Sequence, residues 1–529
     1  MKKLLSLILC LCMVVSCALS ALAAPSPYLT DLPTIYVHGS GSALYIPQPD
    51  GSKKQIYPIK LPADFMEKQV KGNLDVFAKA FFTQQWDEFC VVLHDVIVPL
   101  FDDLRLDENG NAPNGSVVDW RPKLNPATVG GKYAFDQFPF LFDFRMDPFK
   151  TADVLHDYIE KVLAVTGAEK VNLVGRCLGA SITSAYMQKY DGQYIASNLI
   201  YSAAMNGATQ CSKCFCGEIY LQSDGIERYV YDLKLFADET LNTLLQSFVT
   251  LLNKTYGLDI LSWAVNNVYK DIYMQIVPPI LSETFGTYPG YWSMVNDRDY
   301  EKAKATVFHD DPEKWKNFID IIDNYHYNVQ VKAPELFRHF QEKGISMACI
   351  AKYGFQSIPV DKDSDLLSDG MCSVEDATYG ATTSGLMDTL SKEYLAAAET
   401  NGTMRFISPD RQIDASTCLF PERTWFIKNL SHKAFPVCVE ALMAKIVNDG
   451  GMTVFSDEAF PQYLVYDQES ETISPQMSDL PQTSAPAQTS DNSDTTKRYR
   501  VSYFTALKRF WKAVFTLIRN AIESKRSIA

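Results

Sequence analysis

Val171-Asn172-Leu173-Val174-Gly175-Arg176-Cys177-Leu178-Gly179-Ala180 is the stretch on which the reading of this chain turns. An apolar run suited to a buried strand passes through Gly-x-Cys-x-Gly into a helical pattern that reaches Lys189. A nucleophile raised on a sharp strand-to-helix turn has this signature. The turn strains the backbone of the reactive residue, and glycine is needed two residues to either side because a Cβ there would strike the neighbouring strand and helix. The reactive position is Cys177, where serine is the more familiar occupant of the motif. A helix starting at Leu178 aims its positive end at the thiol, which favours the thiolate and any oxyanion formed beside it.

Outward from this turn, strand and helix patterns alternate. Leu32 to Val37 reads as a buried strand entering the glycine-rich loop His38-Gly39-Ser40-Gly41. Helical patterns cover 63–82 and 85–104, a second strand Phe138 to Phe144, a helix Thr151 to Thr166, a third strand Lys170 to Val174, and a further strand Tyr194 to Ser202. Such alternation predicts an α/β chain with a mainly parallel central sheet flanked by helices. The core runs over 25–204 and resumes over 337–468, interrupted by a helical, aromatic insertion at 205–336 that reads as a cap. Strand character returns at Ile345 to Ala351. A loop rich in Asp, Ser and Gly follows, then a helix Pro436 to Asn448 and a strand near Met452 to Phe455.

The ends read differently from the body. Met1-Lys2-Lys3, the apolar run to Val15 and the small residues Ala18 to Ala24 have the layout of a secretory signal over 1–24, which predicts a secreted or extracytoplasmic protein. Lipid attachment at Cys17 is the second reading of the same segment. Residues 469–496 are rich in Ser, Thr, Pro, Gln and Asp and read as a disordered linker. From Lys497 the last 33 residues hold nine Lys or Arg and one acid, a net +8, whereas 25–496 holds 38 basic and 62 acidic residues, a net −24. An acidic body argues against nucleic acid as the partner. In the tail, Phe504, Leu507, Trp511, Val514, Ile518 and Ile522 recur at spacings of three and four, so 497–529 predicts a basic amphipathic helix suited to an anionic membrane surface. Docking on the acidic body of the same chain is the alternative.

Covalent catalysis at Cys177 needs a base, an acid to orient it and two oxyanion donors. In this architecture the order is nucleophile, acid, histidine, and of seven histidines only His432 follows the acid-loop candidates, so His432 is the base. The acid candidates are Asp361, Asp363, Asp365, Asp369 and Asp376. Asp369 is chosen because Gly370 permits a tight turn that presents the carboxylate. The oxyanion donors are the N–H groups of Leu178 and Ser40, with Gly39 or Gly41 able to replace Ser40 after a small shift of the loop. His38 precedes that loop and reads as structural. No metal or cofactor is required. Cys211-x2-Cys214-x-Cys216 lacks a nearby histidine and reads as a local disulfide or buried thiols. A disulfide between Cys372 and Cys418 is expected, since one follows the acid and the other precedes the histidine.

Phe142-Asp143-Phe144-Arg145 with Pro148 resembles the Y-D-W-R…P element of α/β hydrolases of the lecithin:cholesterol acyltransferase-like and bacterial lipase group. Pro289-Gly290-Tyr291-Trp292-Ser293-Met294 resembles the aromatic segment of their cap, and Ser368-Asp369-Gly370-Met371 resembles their acid loop, S/N-D-G-x-V. The resemblance spans most of 32–455 and implies the α/β-hydrolase fold with a helical cap and lipase-like or acyltransferase chemistry on lipid-like substrates. The departure is the cysteine, found in dienelactone hydrolases and polyester synthases of this fold, which weakens the expectation of ordinary triglyceride lipase activity. A thiolate attacks an ester or thioester and leaves a thioester intermediate that passes its acyl group to water or to another acceptor, so hydrolysis and acyl transfer are both open. The alternative from another class is a catalytically degenerate protein that keeps the fold and uses the pocket to hold a lipid or a partner.

Overall fold

The computed structural model describes residues 26–528 except 62–64, 121, 123, 233–237, 363–364 and 478–497. The segment 1–24 read as a secretory signal, and with it Cys17, therefore lies outside the described residues.

Eight strands form the central sheet: β1 (Thr34–Val37), β2 (Phe138–Phe140), β3 (Val171–Arg176), β4 (Ile195–Tyr201), β5 (Ser346–Tyr353), β6 (Thr424–Lys428), β7 (Tyr463–Asp467) and β8 (Thr472–Pro475). Their order is β8-β7-β6-β5-β4-β3-β1-β2, parallel throughout except for the antiparallel edge pair β7/β8. The fold is α/β, as the alternation of patterns predicts. Side chains alternate between the two faces with the period of two that a strand imposes. Ile35, Leu173, Ile200 and Cys349 join one apolar core with Leu155 and Ile159 of helix α1 (Pro148–Thr166); Tyr36, Val174, Leu199 and Ile350 join a second with Leu442 and Ile446 of a helix at Val437–Asn448. Both faces are thus covered, which is why these strands are apolar almost without break.

Asp147 caps α1 by accepting from Phe149 N–H at 2.9 Å, with Pro148 in the first turn. The neighbouring Arg145 is fully buried. Its guanidinium donates to both Asp143 carboxylate oxygens at 2.9 and 2.6 Å, to Leu104 O at 2.9 Å and to Ser116 Oγ at 2.8 Å. The Phe142–Arg145 element is therefore a structural staple. The Pro289–Trp292 turn packs on it, Tyr291 stacking on Phe144 at 5.7 Å, and a Cβ on Gly290 would collide with the Phe144 carbonyl.

Between β4 and β5 the described chain is helical, from Thr209–Phe215 to Ala333–Glu342, and includes α3 (Glu239–Lys254) and α4 (Gly257–Leu281).

Three expectations need correction. Met452 to Phe455 forms turns and no strand; the sheet closes instead with β7 and β8, and β8 lies inside the segment read as linker from 469. The Ser/Thr-rich composition concealed an edge strand whose side chains are mostly exposed, so no apolar alternation was available to mark it. Residues 478–496 of that linker fall outside the described residues. The tail helix, α5 (Tyr503–Ile528), packs along α3, the arrangement that was the alternative for this segment, and its base is tied to the body by Arg498, which pairs with Asp232 at 3.4 Å. Finally, Cys372 and Cys418 are both free thiols. Cys418 Sγ donates to Thr424 Oγ1 at 3.5 Å, while Cys372 turns toward His432, so the two sulfurs serve different neighbours.

Candidate active site

Strand order reverses where β1 lies between β2 and β3, and in open parallel sheets the crevice beyond the carboxyl ends of the strands at such a point receives ligands. Cys177 follows β3 directly, with α2 (Leu178–Tyr190) starting at the next residue. Its backbone sits at φ 51°, ψ −125°, a conformation that costs a side-chain-bearing residue about 1–3 kcal/mol and persists only when its surroundings hold it. Here they do: Cys177 N–H donates to Tyr201 O at 3.2 Å. A Cβ on Gly175 would come within 2.8 Å of Ala180 Cα, and one on Gly179 would collide with the carbonyl oxygens of Val37 and His38. The two glycines let helix, elbow and β1 close on one another.

The loop after β1 reaches the same place. A Cβ on Gly39 would sit 2.9 Å from Cys177 Cβ and 3.5 Å from its sulfur, so this loop's backbone passes directly beside the thiol, with Ser40 next in line. Leu178 N–H hydrogen-bonds the Cys177 sulfur. His38 packs half-buried against Tyr36, and desolvation, reinforced by the charge of Arg176, pushes its pKa down to about 4, so it stays neutral.

From the far side of the crevice come the loops after β5 and β6. His432 Nδ1 lies 2.8 Å from Asp369 Oδ2, and His432 N–H donates to Asp369 O, also at 2.8 Å. The turn at Asp369 forms because Gly370 takes φ 98° and because Asp369 Oδ1 accepts from the N–H groups of Met371 and Cys372 at 3.0 and 2.8 Å. Of the other acid candidates, Asp376 is buried among Ser373, Thr209 and Asn296, Asp365 pairs with Arg228, Asp361 has an intermediate exposure, and Asp363 is outside the described residues. Cys177, Asp369 and His432 are thus drawn together from positions separated by up to 255 residues.

The electrostatics follow from this packing. Burial alone would raise the Cys177 thiol, but the adjoining His432, the Leu178 N–H and Arg176 outweigh it and hold its pKa below the ordinary thiol value. Burial alone would lower His432, yet the charges of Asp369 and Cys177 raise it well above an ordinary imidazole. Both directions favour a thiolate–imidazolium pair. Burial likewise works against ionised Asp369, but His432, Lys352 and Ser202 bring it down to about 2.

Four residues of the site escape the sequence reading. Ser202 Oγ donates to Asp369 Oδ2 at 2.6 Å and lies 3.2 Å from His432 Nδ1. Lys352, buried at the end of β5, donates to three carbonyls of the histidine loop: Ser431 at 2.7 Å, His432 at 2.9 Å and Ala434 at 3.2 Å. Arg176 Nη2 donates to His432 O and Lys433 O, both at 3.2 Å. Cys372 is the fourth, a second thiol hydrogen-bonded to His432. The only usable signals were positional: Arg176 is the variable residue of Gly-x-Cys-x-Gly, and Ser202 and Lys352 stand at the carboxyl ends of their strands.

Asp369, Cys372 and His432 offer ligand atoms within 4.8 Å of one another and form the group among the described residues that could hold a metal. Both carboxylate oxygens of Asp369, however, already accept hydrogen bonds, and Nδ1 of His432 is engaged by Asp369. The donor set fits an acid–imidazole–thiol relay better than a metal cage.

No protein-family model matches this chain, and no curated protein matches it. Among solved structures, the crystal structure of the Tle4–Tli4 complex superposes over 61% of this chain and 74% of that one, with 11% identity and a TM-score of 0.26. A superposition that loose carries no argument about either fold or function.

Proposed function

We propose that this chain is an exported α/β hydrolase of the lecithin:cholesterol acyltransferase-like and bacterial lipase type, acting on ester or thioester, lipid-like substrates as a hydrolase or acyltransferase. The observation that carries the reading is the strained elbow at Cys177 facing a buried His432–Asp369 pair. Cys177 attacks the acyl carbon as the thiolate. The oxyanion is received by the N–H groups of Leu178 and Ser40, and the His432 imidazolium protonates the departing alcohol or thiol. The neutral imidazole then takes a proton from water or from another acceptor, which attacks the thioester and frees Cys177. Asp369 keeps the ring oriented and stabilises its charged form.

The test is a series of p-nitrophenyl esters of increasing acyl length, with and without an amine acceptor, followed by intact mass spectrometry. The proposal expects turnover and an acyl adduct on the Cys177 peptide, with the amine diverting product if transfer competes with hydrolysis. Absence of turnover together with an unlabelled Cys177 across the series would refute it.

A further inference from the structure

Helix α5 uses only one of its walls to hold the body. Ala506 and Ala513 are buried and Leu507 and Val514 half-buried where α5 lies along α3, and Ala513 and Thr516 share a seam with Thr243, Gln246, Ser247 and Thr250 of α3. Polar ties fix its base: Arg498 donates to Gly354 O at 3.2 Å and to Asn429 Oδ1 at 3.3 Å, Tyr499 donates to Asp232, and Arg509 donates to Tyr231. The acidic body thus already has its share of the basic tail.

The opposite wall meets no such partner among the described residues. Phe504, Trp511 and Phe515 are 79%, 49% and 64% exposed, and their spacings of seven and four place them within roughly 40° of arc on a helix with 3.6 residues per turn. Lys508 and Lys512, also exposed, flank this stripe on one side. Three large rings left in water beside lysines, on a helix whose small-residue wall is spent on its own protein, form an interfacial pattern. The rings would enter the boundary between lipid headgroups and chains while the lysines stay at the level of the phosphates. A polyanion such as nucleic acid would pair the lysines and leave the rings wet.

We propose that the outward stripe Phe504/Trp511/Phe515 with Lys508 and Lys512 is a docking surface for an anionic lipid bilayer, on which the helix lies without spanning it. No helix among the described residues is long and apolar enough to cross a membrane. The self-docked wall and the membrane-facing wall then act together: α5 holds an acidic body at a surface that would otherwise repel it. This inference does not depend on the chemistry at Cys177.

The experiment is sedimentation of the full-length protein with vesicles of phosphatidylcholine alone or mixed with phosphatidylglycerol, at low and high salt. Binding is expected for the anionic vesicles and should weaken with salt. At about 1 kcal/mol per basic residue near the surface, K508Q/K512Q should lower the partition coefficient about thirtyfold. F504S/W511S/F515S should lower it at least as much at every salt concentration, and Trp511 fluorescence of the parent should shift to the blue on binding. The substituted side chains are exposed, so thermal melts should coincide with the parent's. Cys177→Ala should bind as the parent does, which separates this result from the fate of the catalytic reading. Equal binding by parent and both variants, or equal binding to neutral vesicles, would overturn the proposal. So would self-association in solution that the aromatic variant abolishes, since the stripe would then be an interface between copies of the chain.

Discussion

Cys177 at the elbow and Cys372 on the acid loop both hydrogen-bond His432, yet their acidities move in opposite directions. Burial opposes ionisation of each. At Cys177 the imidazole, the first N–H of α2 and Arg176 overcome it. At Cys372 burial is reinforced by the carboxylate of Asp369, three residues back, which outweighs the contact with His432, and the thiol is pushed up to about 12. Contact with the histidine therefore does not by itself make a nucleophile. A helix terminus and a cation on one side, and an anion on the other, divide two equivalent sulfurs into one reactive and one inert.

The severest way to break this contrast is Cys177→Ala. Loss of the covalent nucleophile should lower kcat about ten-thousandfold or more, with melting within a few degrees of the parent. Retained hydrolysis at anything near the parent rate would mean that the elbow is not the site of attack.

His432→Ala and Asp369→Asn come next, each costing roughly a hundredfold to ten-thousandfold in kcat/KM. The sharper readout is the rate of iodoacetamide alkylation of Cys177 against pH. In the parent, reaction should already be substantial well below the pH of about 8.5 at which an ordinary thiol half-ionises. In His432→Ala the profile should move up toward or beyond that value, because the largest charge favouring the thiolate is gone. Catalysis by the parent should rise with pH through the depressed Cys177 value and fall when His432 finally loses its proton. Asp369 also ties stability to acid: its folded pKa of about 2 lies below the unfolded value of about 3.9, so its contribution is complete above 3.9 and is lost as pH falls toward 2. Asp369→Asn should remove that slope from the acid side of a denaturation curve.

A smaller effect is expected of Lys352→Met, because Lys352 meets the loop carrying His432 and not the reacting atoms. The Ser431 and Ala434 carbonyls lose the lysine donor and the His432 carbonyl keeps only Arg176, which should cost about 2 kcal/mol of stability and about tenfold in kcat with little change in KM. Burial, against the pull of Asp369, brings the Lys352 pKa down to about 7, whereas the unfolded chain keeps its proton up to about 10.4. Parental stability should therefore rise with pH between those values through this group, and the methionine variant should lack the rise. An unchanged kcat beside a lowered melting temperature would make Lys352 purely structural.

What was legible in the sequence divides along the same line as the thiols. The elbow could be read because every determinant lies within ten residues: an apolar strand, two glycines where a Cβ cannot fit, and a helix start. The Asp369 turn was legible through Gly370 for the same local reason. Lys352, Ser202 and Arg176 were not, since their meaning depends on which strand ends become neighbours. Lys352 reaches carbonyls 79 to 82 residues away, and Arg176 reaches some 256 residues along the chain. The disulfide expected between Cys372 and Cys418 failed on this point. Cys372 lies against His432, whereas Cys418 bonds Thr424 at the start of β6, the end of the strand away from the site, so the two thiols are not neighbours of each other. The strand β8 was missed because a solvated edge needs no apolar alternation, and docking of the tail helix on its own chain stood only as the alternative because its small-residue wall, Ala506 and Ala513, carries almost no hydrophobic signal.

The smallest expected effect is that of Cys372→Ala, and it probes the contrast most finely. Cys372 is 3% exposed and its thiol stays protonated throughout the range in which an ester hydrolase would be assayed, so it contributes a neutral sulfur beside the imidazole and no charge. Replacing it should cost about 1 kcal/mol of stability for the vacated volume and should change kcat by no more than about threefold. In the complementary Cys177→Ala protein, Cys372 should resist iodoacetamide under native conditions, since neither its ionisation nor its exposure favours attack. Suppose instead that Cys372→Ala lost activity as severely as Cys177→Ala while melting normally, or that Cys372 became alkylated at neutral pH once Cys177 was removed. Then the two sulfurs would be sharing His432 as partners in the chemistry, and the opposing charges around them would not be what selects the nucleophile.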